Sequence, residues 1–127
     1  MKKQLFISLS IMMLFVSCSK QKKMNKNIEG KWNLTYVDGN LVSGYSQTIE
    51  FTRSDRANGD FKAITTPTGL ASVTQNGEYY INEEAISIGF TYDNGETSAY
   101  EIVTAEDNLL VLKTNSPTDT TSYRFER

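Results

Sequence analysis

Tyrosines, carboxylates, lysines and hydroxyls are the reactive groups of this chain, because it has no histidine and a single cysteine, Cys18. Without an imidazole there is no Ser-His-Asp or Cys-His relay and no histidine metal ligand. One thiol excludes an internal disulfide and a thiolate cluster. The acidic pairs Glu83-Glu84 and Glu106-Asp107 fall in turn-like segments, where a solvated charge is the default. Ser54-Asp55-Arg56-Ala57-Asn58-Gly59-Asp60 and Asp93-Asn94-Gly95-Glu96 are rich in oxygen atoms. Neither has the ligand spacing or the closing bidentate glutamate of an EF-hand loop, and as turns they need no metal. No nucleophile and base can be paired from these residue types, so no catalytic residue, metal ligand or cofactor is expected.

Charge divides the chain. Its 127 residues carry 13 Lys+Arg and 15 Asp+Glu, for a net charge of −2. Lys2, Lys3, Lys20, Lys22, Lys23 and Lys26 all lie within residues 1–27, which contain no acid; residues 28–127 hold seven basic and fifteen acidic side chains. An acidic body is repelled by phosphate backbones, so nucleic acid is not an expected partner. With 39% apolar and 22% charged residues, the composition suits one folded domain and not a disordered chain.

The basic N-terminus has its own explanation. Met1-Lys2-Lys3 precedes twelve residues, Leu5 to Val16, interrupted only by Ser8 and Ser10. A bilayer span needs about 20 apolar residues and a secretory h-region about 7–15, so the run fits a signal peptide. It ends at Leu14-Phe15-Val16-Ser17-Cys18, with a small residue just before the cysteine. This resembles the lipobox of bacterial lipoproteins, in which the cysteine is acylated and becomes the mature N-terminus. The resemblance implies a signal peptide over 1–17 and a fatty-acyl (palmitate-type) anchor on Cys18. It also implies export to a lipid-anchored position in the bacterial cell envelope, at the outer membrane. Residues 18–27 then read as a polar, flexible tether, its lysines solvated or attracted to anionic headgroups at about 1 kcal/mol each.

From Ile28 onward the period is two. Trp32, Leu34 and Tyr36 share one face, as do Ile49 and Phe51; Phe61 heads the next run. Tyr79 and Ile81, then Ile86, Ile88 and Phe90, then Tyr100 and Ile102, follow the same rule, and Leu110, Leu112, Tyr123 and Phe125 complete it. Asp38-Gly39-Asn40, Thr66-Pro67-Thr68-Gly69, Asp93-Asn94-Gly95 and Ser116-Pro117-Thr118 punctuate the runs as turns. The expected fold over 28–127 is all-β: about eight antiparallel strands in an up-and-down barrel, which leaves no exposed sheet edge.

Glu29-Gly30-Lys31-Trp32 opens the first strand as a G-x-W motif and Tyr123-Arg124-Phe125-Glu126-Arg127 closes the last. With Gly77-Glu78-Tyr79-Tyr80-Ile81 and Asp107-Asn108-Leu109-Leu110-Val111-Leu112 between them, residues 28–127 resemble the lipocalin-like lipoproteins of the calycin group. The resemblance implies that the tryptophan packs at the closed base of the barrel with an arginine from the last strand lying across it. Parity assigns Arg127, because Arg124 falls on the outward face. Gly30, Trp32 and Arg127 are thus expected to form the base motif.

Two expectations compete for the interior. Nine of the seventeen inward residues are aromatic, and at about 150–250 Å² apiece they argue for a filled core. The hydroxyls of Tyr36, Tyr79, Tyr100 and Tyr123 need partners, which an open mouth with a ligand would supply. Tyr36, Tyr79, Phe90 and Tyr100 are the expected contacts for a small apolar or amphipathic ligand. If the barrel is solid, the expected role is a protein-interaction or inhibitor module acting through loops 38–47 and 66–76.

Overall fold

The computed structural model describes residues 20–127, and each run of period-two patterning in it falls on a strand, with Ile86 left just outside β6. The strands are β1 (Gly30–Val37), β2 (Asn40–Leu41), β3 (Tyr45–Arg53), β4 (Asn58–Pro67), β5 (Val73–Ile81), β6 (Ser87–Tyr92), β7 (Thr97–Ala105), β8 (Leu109–Thr114) and β9 (Ser122–Glu126). Each pairs antiparallel with the next around the sheet, and β1–β9 pairing closes it; β2 is only a two-residue arm on β1. The result is the expected closed eight-stranded meander. Loops 54–57, 82–86 and 106–108 lie at one end, here the base. Loops 38–44, 68–72, 93–96 and 115–121 surround the other end, the mouth.

Inward positions alternate large with small. Phe51, Phe61, Tyr79 and Phe90 fill the axis in edge-to-face and tilted contacts, with ring centroids 5.0–6.2 Å apart. Gly59, Ala63 and Gly77 share that face and make room for them. A Cβ at Gly77 would collide with the Thr91 carbonyl and lie 2.8 Å from Phe61 Cε1. Because backbone cannot yield as a side-chain tip can, Gly77→Ala should destabilise the barrel by about 3 kcal/mol. Urea melts check this, through a lower midpoint at unchanged slope.

Bulges correct the parity in two places. Pairing of β1 with β9 shifts between Leu34 and Tyr36, with Thr35 as the extra residue, so Val37 instead of Tyr36 packs on the core. Between Ile102 and Thr104 a second shift, with Val103 as the extra residue, brings Ala105 instead of Thr104 onto the core. Ile86, expected inside, is exposed: it precedes β6, after Ala85 at φ 58°, with its N–H bonded to Asn82 Oδ1.

The segment expected as a polar tether is also corrected. Residues 20–28 form a helix, α1, seated on the barrel. Gln21, Met24, Asn25 and Ile28 recur at helical spacing on its packed face, while Lys20, Lys22, Lys23 and Lys26 are exposed. Two of the docking residues are amides, which is why the segment reads as solvated. Residues 1–19, with the expected signal peptide and Cys18, lie outside the described residues. Among the described residues no helix is long and apolar enough to cross a membrane.

Candidate functional site

The base is built to stay shut. Trp32 is 0% exposed, and its Nε1 donates to the Ile28 carbonyl at 2.8 Å. The Arg127 guanidinium lies over the indole, 3.9 Å from its centroid. Its Nη2 donates to the Asn27 carbonyl at 2.9 Å, Nη1 to Glu29 at 2.6 Å and Nε to Asp107 at 2.6 Å. Trp32 and Arg127 therefore take the carbonyls left open where α1 ends, and the cation complements the negative end of the helix dipole. Gly30 completes the motif. At φ +116° a side chain would be strained, and its Cβ would sit 3.1 Å from Arg127 Nη1.

A buried polar cluster pins the helix. Tyr79 donates its hydroxyl to Asn25 Oδ1, and Asn25 Nδ2 donates to the carbonyls of Asp55 at 2.8 Å and Asn58 at 3.1 Å. Gln21 Nε2 donates to the Ile81 carbonyl at 2.7 Å. Burial, and then the charge of Glu29, push the Tyr79 phenol far above its ordinary range, so it remains a donor. The Asp55 carboxylate accepts from the N–H groups of Ala57 and Asn58, which hold it below the usual range. That Asx-type turn shapes the loop that Asn25 grips. The oxygen-rich Asp55 segment thus serves as a turn, and among the described residues no group of three or more His, Cys, Asp or Glu is placed to hold a metal ion.

Tyr79 was expected at the mouth, and this is a correction: β5 runs from mouth to base, so its residue 79 sits low. Tyr36 is corrected as well. The Thr35 bulge turns it to the outer surface, where the Arg124 guanidinium stacks on it at 5.3 Å. The other two expected ligand residues, Phe90 and Tyr100, do face a cavity.

That cavity opens at the mouth and measures about 240 Å³. Phe61, Phe90, Phe125, Ile49, Ala63 and Leu112 form its deeper wall; Gln47, Gln75, Tyr92, Tyr100 and Tyr123 lie toward the rim. The interior is thus filled over its lower half and hollow above, because, of the counted aromatics, Tyr36 stands outside and Tyr79 lies low in the base, and small inward residues stand among the rest. Tyr100 packs edge-on to Phe90 at 5.6 Å and to Tyr123 at 6.0 Å, while Tyr92 meets Phe61 at 5.3 Å. Gln47 Nε2 donates to Thr65 Oγ1 at 3.2 Å, and the Tyr92 hydroxyl pairs with Ser98 Oγ at 3.3 Å. Sequence reasoning missed Gln47, Gln75 and Tyr92. The alternation Ile88, Phe90, Tyr92 was a usable signal for the last, masked by the adjoining Asp93-Asn94-Gly95 turn.

One side of the mouth is apolar. Leu41 (69% exposed), Tyr45, Leu70 (70%) and Val73 stand on the arm, the adjoining loop and the strand starts. A hydrogen bond from Thr68 N to the Gly44 carbonyl at 3.0 Å ties the two loops into one lip.

A family model described as a lipocalin-like domain matches residues 28–112. No curated protein matches the sequence. Among solved structures, the chain is similar to lobster apocrustacyanin A1, at 16% identity over 87% of this chain and 66% of that one, with a TM-score of 0.64. It is similar to Japanin from Rhipicephalus appendiculatus bound to cholesterol, at 14% identity over 76% of this chain and 73% of that one, with a TM-score of 0.56. A redesigned β barrel matches at 12% identity over 82% of this chain and 94% of that one, with a TM-score of 0.60.

Proposed function

Because the chain belongs to the lipocalin-like domain family, matched over residues 28–112, we propose that it is a non-catalytic binding protein whose barrel mouth takes a small, mainly apolar molecule, and that acylated Cys18 tethers it to the cell envelope. The cavity carries the binding half of this reading. It is concave and lined by aromatic and aliphatic side chains, with a few polar groups toward the rim, as small-molecule sites are. Its 240 Å³ falls below the roughly 300 Å³ at which sites for drug-sized ligands begin, which points to a ligand smaller than a sterol. The lip of Leu41, Tyr45, Leu70 and Val73 gives such a molecule an apolar landing next to the opening. The same exposed side chains favour the second reading, a protein-interaction surface on loops 38–44 and 68–72 and the strand starts beside them.

N-phenyl-1-naphthylamine, a neutral probe that brightens in apolar surroundings, separates the two. Titration into the protein should give saturable enhancement, and Ala63→Phe, which fills the cavity floor, should abolish it while leaving the strand circular dichroism unchanged. No enhancement in the unaltered protein would overturn the ligand reading and leave the lip as the working surface. Trp32 is not the reporter of choice, since it is sealed in the base. The tether is tested separately: Cys18→Ser should move the protein from the membrane to the soluble fraction, and continued sedimentation with membranes would contradict it.

A further inference from the structure

None of the eleven side chains lining the cavity carries a charge at neutral pH. The four loops around the mouth contain Asp38, Asp93, Glu96 and Asp119 and no lysine or arginine. The nearest strand cation, Lys113, is on the outer face of β8, opposite Glu101 on β7. All the arginines of the barrel lie elsewhere: Arg53, Arg56 and Arg127 toward the base, and Arg124 on the outer surface over Tyr36.

We infer that this cavity selects an organic cation, a ring-sized apolar body bearing an ammonium group, and rejects carboxylate-headed ligands such as fatty acids. The inference rests on the ligand-binding reading above. Three features converge on it. First, Tyr92, Tyr100, Tyr123 and Phe90 surround the space with ring faces and edges, and aromatic walls attract an ammonium group electrostatically. Second, Gln47 donates one amide N–H to Thr65, and its carbonyl oxygen is an acceptor suited to an N–H donor. Third, the rim carboxylates act across the cavity wall. The Tyr123 hydroxyl is raised by burial and then by the charges of Asp119 and Asp38, and that of Tyr100 by burial with a smaller contribution from Asp119. A carboxylate entering the same space would lose its hydration without a counter-ion and approach like charges, a combination that is costly on both counts.

Three probes on one ring system test this: naphthalen-2-ylmethylammonium, naphthalen-2-ylmethanol and naphthalene-2-carboxylate, titrated calorimetrically at neutral pH and low salt. The ammonium should bind about fivefold or more tighter than the alcohol, and the carboxylate at least about tenfold weaker than the ammonium, with the gap narrowing as salt is added. The pair Asp38→Asn and Asp119→Asn keeps the oxygens that accept from Ser122 N and from Thr121. It should reduce the ammonium's advantage over the alcohol by about half, the aromatic walls keeping the rest, and leave the alcohol unchanged. Binding of the alcohol with no preference for the ammonium, or binding of the carboxylate as tightly as the ammonium, overturns the inference and leaves the ligand-binding reading standing. Absence of binding by all three overturns both.

Discussion

Trp32→Ala should lower the stability of the barrel by about 3–5 kcal/mol, read from urea melts. The indole is wholly enclosed, so its removal opens a cavity that the surrounding strands cannot close. It also strands the Ile28 carbonyl, which loses the Nε1 donor, and takes away the surface on which Arg127 is stacked. The guanidinium would keep its three carbonyl partners, so the loss belongs chiefly to the buried ring. Trp32→Phe separates the contributions: most of the apolar area stays, the N–H goes, and the expected loss falls to about 1–2 kcal/mol. A loss below about 1 kcal/mol for the alanine variant would mean that the indole does not close the base.

Asn25→Ala should cost nearly as much, for a different reason. One amide, 0% exposed, satisfies the Tyr79 hydroxyl and two loop carbonyls. Its removal leaves the buried Tyr79 hydroxyl and the part-buried Asp55 carbonyl short of a partner, while the Asn58 carbonyl still accepts from Ser54 N; the cost is about 1–3 kcal/mol for each group that water cannot reach. The expected total is about 3 kcal/mol, with the helix loosening before the strands, so amide exchange in residues 20–28 should rise before that in β5 and β6. Tyr79→Phe in the same background removes one stranded group, and the double variant should recover about 1 kcal/mol relative to additivity. Additive losses from the two substitutions would show that the hydroxyl and the amide are not coupled.

Strand positions were legible because alternation survives without knowledge of neighbours; the Trp32–arginine pairing came from the family resemblance, and alternation served only to choose Arg127 over Arg124. Height along the barrel was not. Parity puts Tyr79 and Tyr100 on the same inner face, yet one is buried in the base and the other lines the mouth, because their strands present those positions to opposite ends. Tyr36 failed for a local reason, since the bulge at Thr35 leaves no mark that distinguishes it from regular strand. Helix α1 stayed hidden because its docking face uses Gln21 and Asn25, whose burial is stabilised by hydrogen bonds that hydrophobic counting cannot register. The cavity was obscured by counting only the bulky inward residues. Gly59, Ala63 and Gly77 set the free volume as much as the rings do.

The seating of α1 also limits slack. Three residue steps separate Cys18 from Gln21, which is already fixed against Ile81, and extended chain spans at most about 3.5 Å per step, a leash of about 10 Å. With an acyl chain on that cysteine, the sealed end would ride close to the lipid headgroups, the exposed lysines of the helix among them. The opening would then point into the aqueous compartment, and cargo would arrive as a dissolved solute instead of rising out of the bilayer beneath.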